Sequence, residues 1–141
     1  MSWHDNHVHG LTIHSGEHGT GELILDLDYI LEWLPAVEGR YKFVLAPANL
    51  CFRDVTDLRI SLDYVKPSAA ITPFSISNVG REEHIYPNGF KTFRWSIGVN
   101  WPEGALEFIA SGFRQTIRGV PITTAEQVPT VAQRRGAEYS N

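Results

Sequence analysis

The stretch from residue 21 to residue 33 constrains the fold more than any other part of the chain. Its odd-numbered positions carry large apolar side chains: Leu23, Leu25, Leu27, Tyr29, Leu31 and Trp33. Its even-numbered positions are mainly acidic, which predicts a long strand with one buried face and one acidic face. A helix would also place Leu23, Leu27, Ile30, Leu31 and Leu34 on one stripe. The strand is preferred because the odd face is unbroken and residues 19–21, Gly-Thr-Gly, are typical of a turn rather than a helix cap.

Shorter stretches with the same alternation follow along the chain. They predict strands over about residues 7–14, 21–34, 41–52, 58–64, 71–78, 93–101, 106–110 and 113–117. Pro35 is expected to end the second strand, and a bulge or a bend is expected near Pro47. Residues 53–57 are read as a polar corner, and residues 79–89 as a polar connection that contains a turn at residues 86–89. Seven or eight strands with little helix predict a mainly β fold, either an antiparallel β-sandwich or a strongly curved antiparallel sheet.

The first two strands are predicted to form a hairpin around residues 15–20. Matching their apolar faces gives four residue pairs: Ile13–Leu23, Leu11–Leu25, His9–Leu27 and His7–Tyr29. A slip of one residue would turn the leucines toward water, so this register is a specific expectation.

The length of 141 residues and the apolar content of 43% are those of one globular domain. Residues 1–122 are predicted to form it, and residues 123–141 a polar, partly disordered tail. No run approaches the roughly 20 apolar residues of a membrane helix, and the amino terminus does not resemble a signal peptide. A cytoplasmic protein is therefore expected, and the single cysteine, Cys51, excludes an internal disulfide.

The charge is acidic and uneven along the chain. The net charge is −4, and residues 1–70 hold ten Asp and Glu against five Lys and Arg. The absence of a basic cluster argues against nucleic acid as a partner. The acidic face of the second strand, with Asp26, Asp28 and Glu32, is the candidate surface for binding a protein, although a solvated face is the simpler interpretation.

Five of the six histidines lie within the first 18 residues. His4, Asp5, His7 and His9 are the weak candidates for metal ligands, because alternate residues of a strand point in the same direction. The predicted register opposes a metal site, since it places His7 and His9 on the leucine face, away from Asp26 and Asp28. Strand-entry and loop roles for these residues are favoured, and no metal is predicted.

Other chemistry-bearing residues have simpler structural interpretations. Asp26, Asp28 and Glu32 would share one exposed environment, whereas catalytic carboxylates need different environments. Cys51 fits a small buried residue better than a nucleophile. Arg114 and Arg118 share a strand face and are expected to pair with Asp26 and Asp28, an anion site being the alternative. Four aromatic residues fit core packing or a ligand cleft: Trp33, Phe93, Trp95 and Trp101.

Several segments together resemble a family of small bacterial proteins of unknown function. They are residues 3–6 (Trp-His-Asp-Asn), 25–33, 46–50, 53–58 and 110–115, and the likeness spans about residues 3–122. A weaker similarity, in the His-Asp start and the Leu-x-Leu-Asp strand, is to the immunity protein 50 type, which is associated with contact-dependent toxin systems. Neither resemblance implies catalytic residues.

The sequence therefore favours a cytoplasmic, non-catalytic module that binds protein, either another chain or a second copy of itself. It contains no Gly-rich phosphate loop, nucleophile elbow or paired-cysteine zinc motif, so no cofactor is predicted. Two alternatives stay open. One is a metal-binding protein or metal-dependent enzyme using the amino-terminal histidines, and the other is a small-ligand binder with an aromatic cavity.

Overall fold

The computed structural model describes residues 3–19, 21–37, 40–65, 70–100 and 102–124. Within these ranges the chain forms eight strands and one short 3-10 turn, Glu17–Gly19. The strands are β1 (His7–Ser15), β2 (Gly21–Val37), β3 (Arg40–Leu62), β4 (Phe74–Ile85), β5 (Lys91–Asn100), β6 (Gly104–Ala110), β7 (Gly112–Ile117) and β8 (Ile122–Thr124). The predicted antiparallel, mainly β fold is confirmed.

The eight strands belong to one antiparallel sheet whose pairings close on themselves. The order is β2-β1-β4-β5-β6-β3, and β3 pairs in turn with β2. The long strand β3 also pairs with β6 over residues 56–62, with β7 over residues 48–53 and with β8 over residues 43–45. The circuit closes between β1 and β4 through only two residue pairs, His7–Ser75 and Val8–Phe74.

A β-bulge in β1 corrects half of the predicted hairpin register. The two pairs nearest the turn form as predicted, Ile13–Leu23 and Leu11–Leu25. The register then shifts between Val8 and Gly10, so His9 is the extra residue of the bulge, and the predicted pairs of His9 and His7 are wrong. Val8, which is 1% exposed, takes the position opposite Leu27. A branched hydrocarbon rather than an imidazole therefore packs in the core, which avoids burying an unpaired polar ring.

The second hairpin differs from the prediction at both of its prolines. β2 continues past Pro35 to Val37, and its register against β3 shifts between Leu34 and Val37, where the missing proline N–H costs no regular ladder bond. The pairing around Pro47 is regular, and the nearby bulge lies instead in β2, between Ile30 and Glu32. The apparent change of phase near Pro47 arises because residues 45–48 are buried on both faces of the strand.

The predicted polar corner at residues 53–57 is a bend inside a continuous strand. Asp54 and Asp57 have positive φ angles of 55° and 52°, a conformation that aspartate tolerates better than most residues. At this bend β3 exchanges β7 for β6 as its partner. The Ser111 hydroxyl donates to the Asp54 carboxylate at 2.6 Å, and the Ser111 N–H donates to the Arg53 carbonyl at 3.0 Å. The break between β6 and β7 is thus fixed to the bend of β3.

The carboxyl-terminal half follows the predicted alternation, with one extension. β4 runs on to Ile85, through residues that were read as a polar connection. The predicted turn at residues 86–89 is confirmed by a hydrogen bond from the Gly89 N–H to the Tyr86 carbonyl at 2.8 Å and by the Gly89 φ of 87°.

One core fills the inside of the sheet. It combines the leucines of β2 with aromatic and aliphatic residues of the other strands, including Leu23, Leu25, Leu27, Leu50, Phe52, Phe74, Ile76, Trp95, Ile97, Leu106 and Phe108. Phe52 is fully buried, and its ring centroid lies 4.7 Å from that of Phe108 and 5.1 Å from that of Trp95, in edge-to-face geometry. Aromatic pairs of this kind stabilise a core beyond their burial.

The structure describes only the first two residues of the predicted tail, residues 123–141. Thr123 and Thr124, assigned to the tail, pair with β3 as part of β8. Residues 125–141, like Trp101, lie outside the described residues. Among the described residues there is no helix with the length and apolar character needed to cross a membrane.

Candidate functional site

The three acidic residues of the proposed binding surface lie in three different environments. Asp28 is 1% exposed and is the partner of His9. Asp26 is half-buried and accepts a bond of 2.5 Å from the Arg118 guanidinium. Glu32 is exposed. The prediction that the three carboxylates share one exposed environment is therefore wrong. His9, at the bulge in β1, binds Asp28, and Arg118 binds Asp26.

The bulge brings His9 to the face that was predicted to exclude it. Its Nε2 atom contacts the Asp28 carboxylate, and the His9 side chain is 16% exposed. A bulge re-aims one side chain without disturbing the strand on either side, which is how an imidazole reaches a buried carboxylate here. The structure thus joins a predicted metal candidate to a predicted surface residue in one internal pair, a result that strict alternation could not give.

His7 and Asn6 lie beside this pair, where β1 meets β4. Burial lowers the pKa of His7 from its ordinary value of 6.5, His9 acts in the same direction, and the carboxylates of Asp28 and Asp5 oppose the change. The side-chain oxygen of Asn6 accepts a hydrogen bond of 3.2 Å from the Ile30 N–H. The backbone carbonyl of Asn6 accepts a hydrogen bond of 3.0 Å from the Ile76 N–H. Asn6 therefore ties β2 and β4 to the segment that enters β1.

The remaining amino-terminal candidates point elsewhere. His4 Nδ1 lies 3.0 Å from the Asp5 carboxylate, and both side chains are exposed, by 59% and 39%. Within the described ranges there is no group of three or more His, Cys, Asp or Glu side chains that could hold a metal ion. A metal centre would need such convergence.

Cys51 is half-buried on β3 opposite Ile24. Burial raises the pKa of its thiol, and the neighbouring Glu22 carboxylate raises it further, against the smaller opposing effects of Arg114 and Arg53. A raised pKa disfavours the thiolate, which is the nucleophilic form. The environment of Cys51 is that of a structural residue.

A different set of residues forms a cleft at one end of the core. The cleft has a volume of about 470 Å³ and is lined by Trp3, His4, Ser77, Asn78, Val79, Arg81, Trp95 and Phe113. Trp3 crosses from the segment before β1 to β7, where its indole N–H donates to Gln115 at 2.9 Å and its ring meets Phe113 edge-on at 5.0 Å. A concave site lined by aromatic rings with a few polar groups is the usual form of a binding site.

Arg81 is the distinctive residue of this cleft. It pairs across the sheet with Trp95, so its side chain lies on the core face of β4 and not on the outer face. The guanidinium carbon lies 4.3 Å from the centroid of Phe93 and 5.5 Å from that of Trp95. Stacking on these rings holds the plane of the guanidinium while its N–H edge stays available for a ligand.

A second cleft, of about 440 Å³, has a balanced charge. It shares Arg81 and Trp95 with the first cleft, but its other lining includes Glu82 and Glu107 as well as Arg94. Its two carboxylates compensate its two arginines, so it has no clear preference for a charged ligand. The aromatic cleft around Arg81 is the stronger candidate for binding.

Of the four aromatic residues that were considered for a ligand cleft, three lie in the described part of the chain. Trp95 is buried in the core and also forms the floor of the cleft. Phe93 is half-buried under Arg81. Trp33 is 51% exposed at the far end of β2, against Phe43. Arg81, Trp3 and Phe113 were not singled out from the sequence. Arg81 is out of phase with the buried Phe74 and Ile76, and only the register shift between Ile76 and Asn78 brings it to the core face.

The expected pairing of the last arginines is half observed. Arg118 binds Asp26, whereas Arg114 is exposed and lies opposite Cys51. A comparison of the chain with known protein families and with curated proteins finds no match. The resemblances noted in the sequence stay predictions.

Proposed function

We propose that the protein is a non-catalytic binding module that recognises a partner protein through the cleft around Arg81. The observation that supports this most strongly is a guanidinium stacked on two aromatic rings at the mouth of a cleft of about 470 Å³. Arginine and tryptophan are the residues that most often dominate the energy of protein interfaces. Here both occupy a concave surface.

The rest of the molecule supports binding rather than catalysis. Among the described residues, two polar groups that could do acid–base or metal chemistry, His9 and Asp28, are engaged with each other inside the fold. Burial and the Glu22 carboxylate raise the pKa of the Cys51 thiol, which disfavours its nucleophilic thiolate form. These groups stabilise structure, and the cleft is the feature that remains for recognition.

The acidic face predicted from the sequence contributes less than expected to this proposal. Of its three carboxylates only Glu32 is exposed, beside Trp33. Glu32 lies on β2, whereas the cleft lies between β4, β5 and β7. We therefore assign the partner to the cleft and not to the β2 face.

The test is affinity capture from the native host with three forms of the protein. Arg81→Glu reverses the charge in the cleft, and Arg94→Glu makes the same change at an exposed position on the opposite face of the hairpin. We expect wild type and Arg94→Glu to retain the same partner and Arg81→Glu to lose it. With the purified partner, Arg81→Ala should weaken binding by about thirtyfold, as expected for an interface residue worth about 2 kcal/mol.

Two results would contradict the proposal. One is capture that does not depend on Arg81, and the other is loss of capture with Arg94→Glu alone. If the captured protein is a second copy of the chain, the same variants should shift the mass measured by sedimentation, which identifies self-association through the cleft.

A further inference from the structure

The lining of the aromatic cleft carries an arginine and no carboxylate, in contrast to the acidic protein around it. Among the eight residues that line it, Arg81 and His4 are the charged or titratable ones, and none is Asp or Glu. The whole chain carries a net charge of −4. A site whose charge is opposite to that of the molecule selects a ligand of the molecule's own sign.

In the described part of the chain, the side chain of Arg81 contacts aromatic rings. Arg81 has no ion pair there, and its described interactions are with the faces of two rings. Glu83, two positions along the same face of β4, lies 3.5 Å from Lys91 and is engaged with it. The guanidinium edge is thus free to form the paired N–H···O bonds that a carboxylate accepts.

The walls of the cleft specify what must accompany the carboxylate. Trp3, Trp95 and Phe113 meet edge to face, with Phe113 5.0 Å from Trp3 and 5.7 Å from Trp95. These rings provide an apolar surface beside the cation. A ligand that complements both features carries an aromatic or bulky apolar group next to its carboxylate.

We propose, resting on the proposed function, that the cleft binds a segment of the partner in which an acidic side chain adjoins an aromatic one. The donors that the cleft offers come from a side chain, whereas a chain terminus is typically held by clustered backbone N–H groups. An internal acidic residue is therefore the source of the carboxylate. Arg81 binds the carboxylate, and the ring of the neighbouring residue packs against Trp3 and Phe113.

The test uses three peptide probes and the tryptophan indole N–H signals in NMR spectra of the full chain. The probes are N-acetyl-aspartyl-phenylalanine amide, its asparaginyl counterpart, and asparaginyl-phenylalanine with a free carboxyl terminus. Trp3 and Trp95 report on the cleft, and the exposed Trp33 is the internal reference. We expect the aspartyl peptide to shift the first two signals and to bind at least about tenfold more tightly than the asparaginyl amide.

Matched variants assign this preference to Arg81. Arg81→Gln should remove the difference between the aspartyl and asparaginyl peptides, and Arg94→Gln should keep it. Equal binding of the two amides, or shifts confined to Trp33, would overturn the proposal. Equal or tighter binding of the probe with the free terminus would overturn the assignment to an acidic side chain.

The two proposals fail in different ways. If capture of the partner depends on Arg81 but the probes show no preference for the carboxylate, the ligand class is wrong and the binding site stands. If the probes bind as expected but no captured protein depends on Arg81, the role in protein binding is wrong and the cleft is a site for another carboxylate.

Discussion

At the scale of single residues, the junction of β1 with its neighbours is defined by polar side chains inside the fold. Asp28 is 1% exposed and Asn6 is 1% exposed, and each has a partner, His9 and Ile30 respectively. Buried polar groups without such partners would cost several kcal/mol. His7, at the same junction, has a pKa lowered by burial.

His7 should make the protein less stable as the pH falls below about 6.5. Burial lowers the pKa of His7 in the folded state, so the unfolded chain takes up the proton first. The contribution of His7 to the free energy of unfolding is therefore complete above the pKa that His7 has in the unfolded chain. It declines as the pH falls toward the pKa that His7 has in the folded state. Urea denaturation at about pH 7.5 and about pH 5.5 measures the decline.

The control for this effect is a comparison of variants. Asp28, Asp5 and His9 also face His7, so variants are needed to assign the decline to His7. His7→Gln should reduce the decline, and His14→Gln, at an exposed position of the same strand, should leave it unchanged. An unchanged decline in His7→Gln would show that His7 is not the responsible group.

The residue scale is also where the sequence predicted least of the site. Arg118 was correctly expected to pair with Asp26. Arg81 could not be recognised, because its importance depends on Trp3 and Phe113, which are distant from it in the chain and meet it only in the folded sheet. Alternation indicates the face on which a side chain lies but not which other strands converge on that face.

At the scale of strands, close backbone contact fixes Gly104 at the start of β6. A Cβ atom there would lie 2.0 Å from the Ser61 carbonyl oxygen, and the atoms it would meet are backbone atoms of β3, which cannot turn aside as a flexible side chain can. Gly104→Ala should lower the free energy of unfolding by about 1–3 kcal/mol, the usual cost of overpacking. Chemical denaturation at neutral pH measures this loss.

Gly10 provides the matched control on β1. A Cβ atom at Gly10 would meet nothing within 4 Å. Gly10→Ala should therefore be neutral or stabilise the protein by up to about 1 kcal/mol, since alanine restricts the unfolded chain. Equal losses from the two substitutions would show that close contact at Gly104 is not the cause.

The strands themselves were largely predictable. The period-two pattern identified β2 and β5, because both strands show clear local alternation. Turn-forming residues identified the turn at residues 86–89. The bulge in β1 could not be predicted, because the pattern near His9 fits either register. Only the packing of Val8 in the core decides between the two registers. The end of β2 was misplaced because Pro35 is tolerated at an irregular pairing.

At the scale of the whole molecule, the sheet is closed by its weakest pairing. β1 and β4 share two residue pairs, supported by hydrogen bonds from Asp5 N–H to the Ile76 carbonyl at 2.8 Å and from Ile76 N–H to the Asn6 carbonyl at 3.0 Å. The ladder between β2 and β3, by contrast, joins residues 21–37 of β2 to residues 40–55 of β3. Local opening should therefore begin at the β1–β4 pairing.

Native-state hydrogen exchange tests this expectation. The amides of Asp5 and Ile76 should exchange through an opening of lower free energy than the amides in the centre of the β2–β3 ladder. The physical reason is the small number of bonds that must break together. If both sets exchange with the same free energy and the same denaturant dependence, the sheet opens only as a unit.

The order of the strands along the chain also determines when the hydrophobic core can be completed during synthesis. The first 62 residues contain β1, β2 and β3, whose leucine-rich inner surface is covered in the finished fold by Trp95 and Phe108 of β5 and β6. In a nascent chain that has been synthesised only as far as β3, this apolar surface is therefore not yet covered. We expect this inner surface to stay exposed until β5 and β6 have been made, and exposed apolar surface of this kind favours aggregation or chaperone binding.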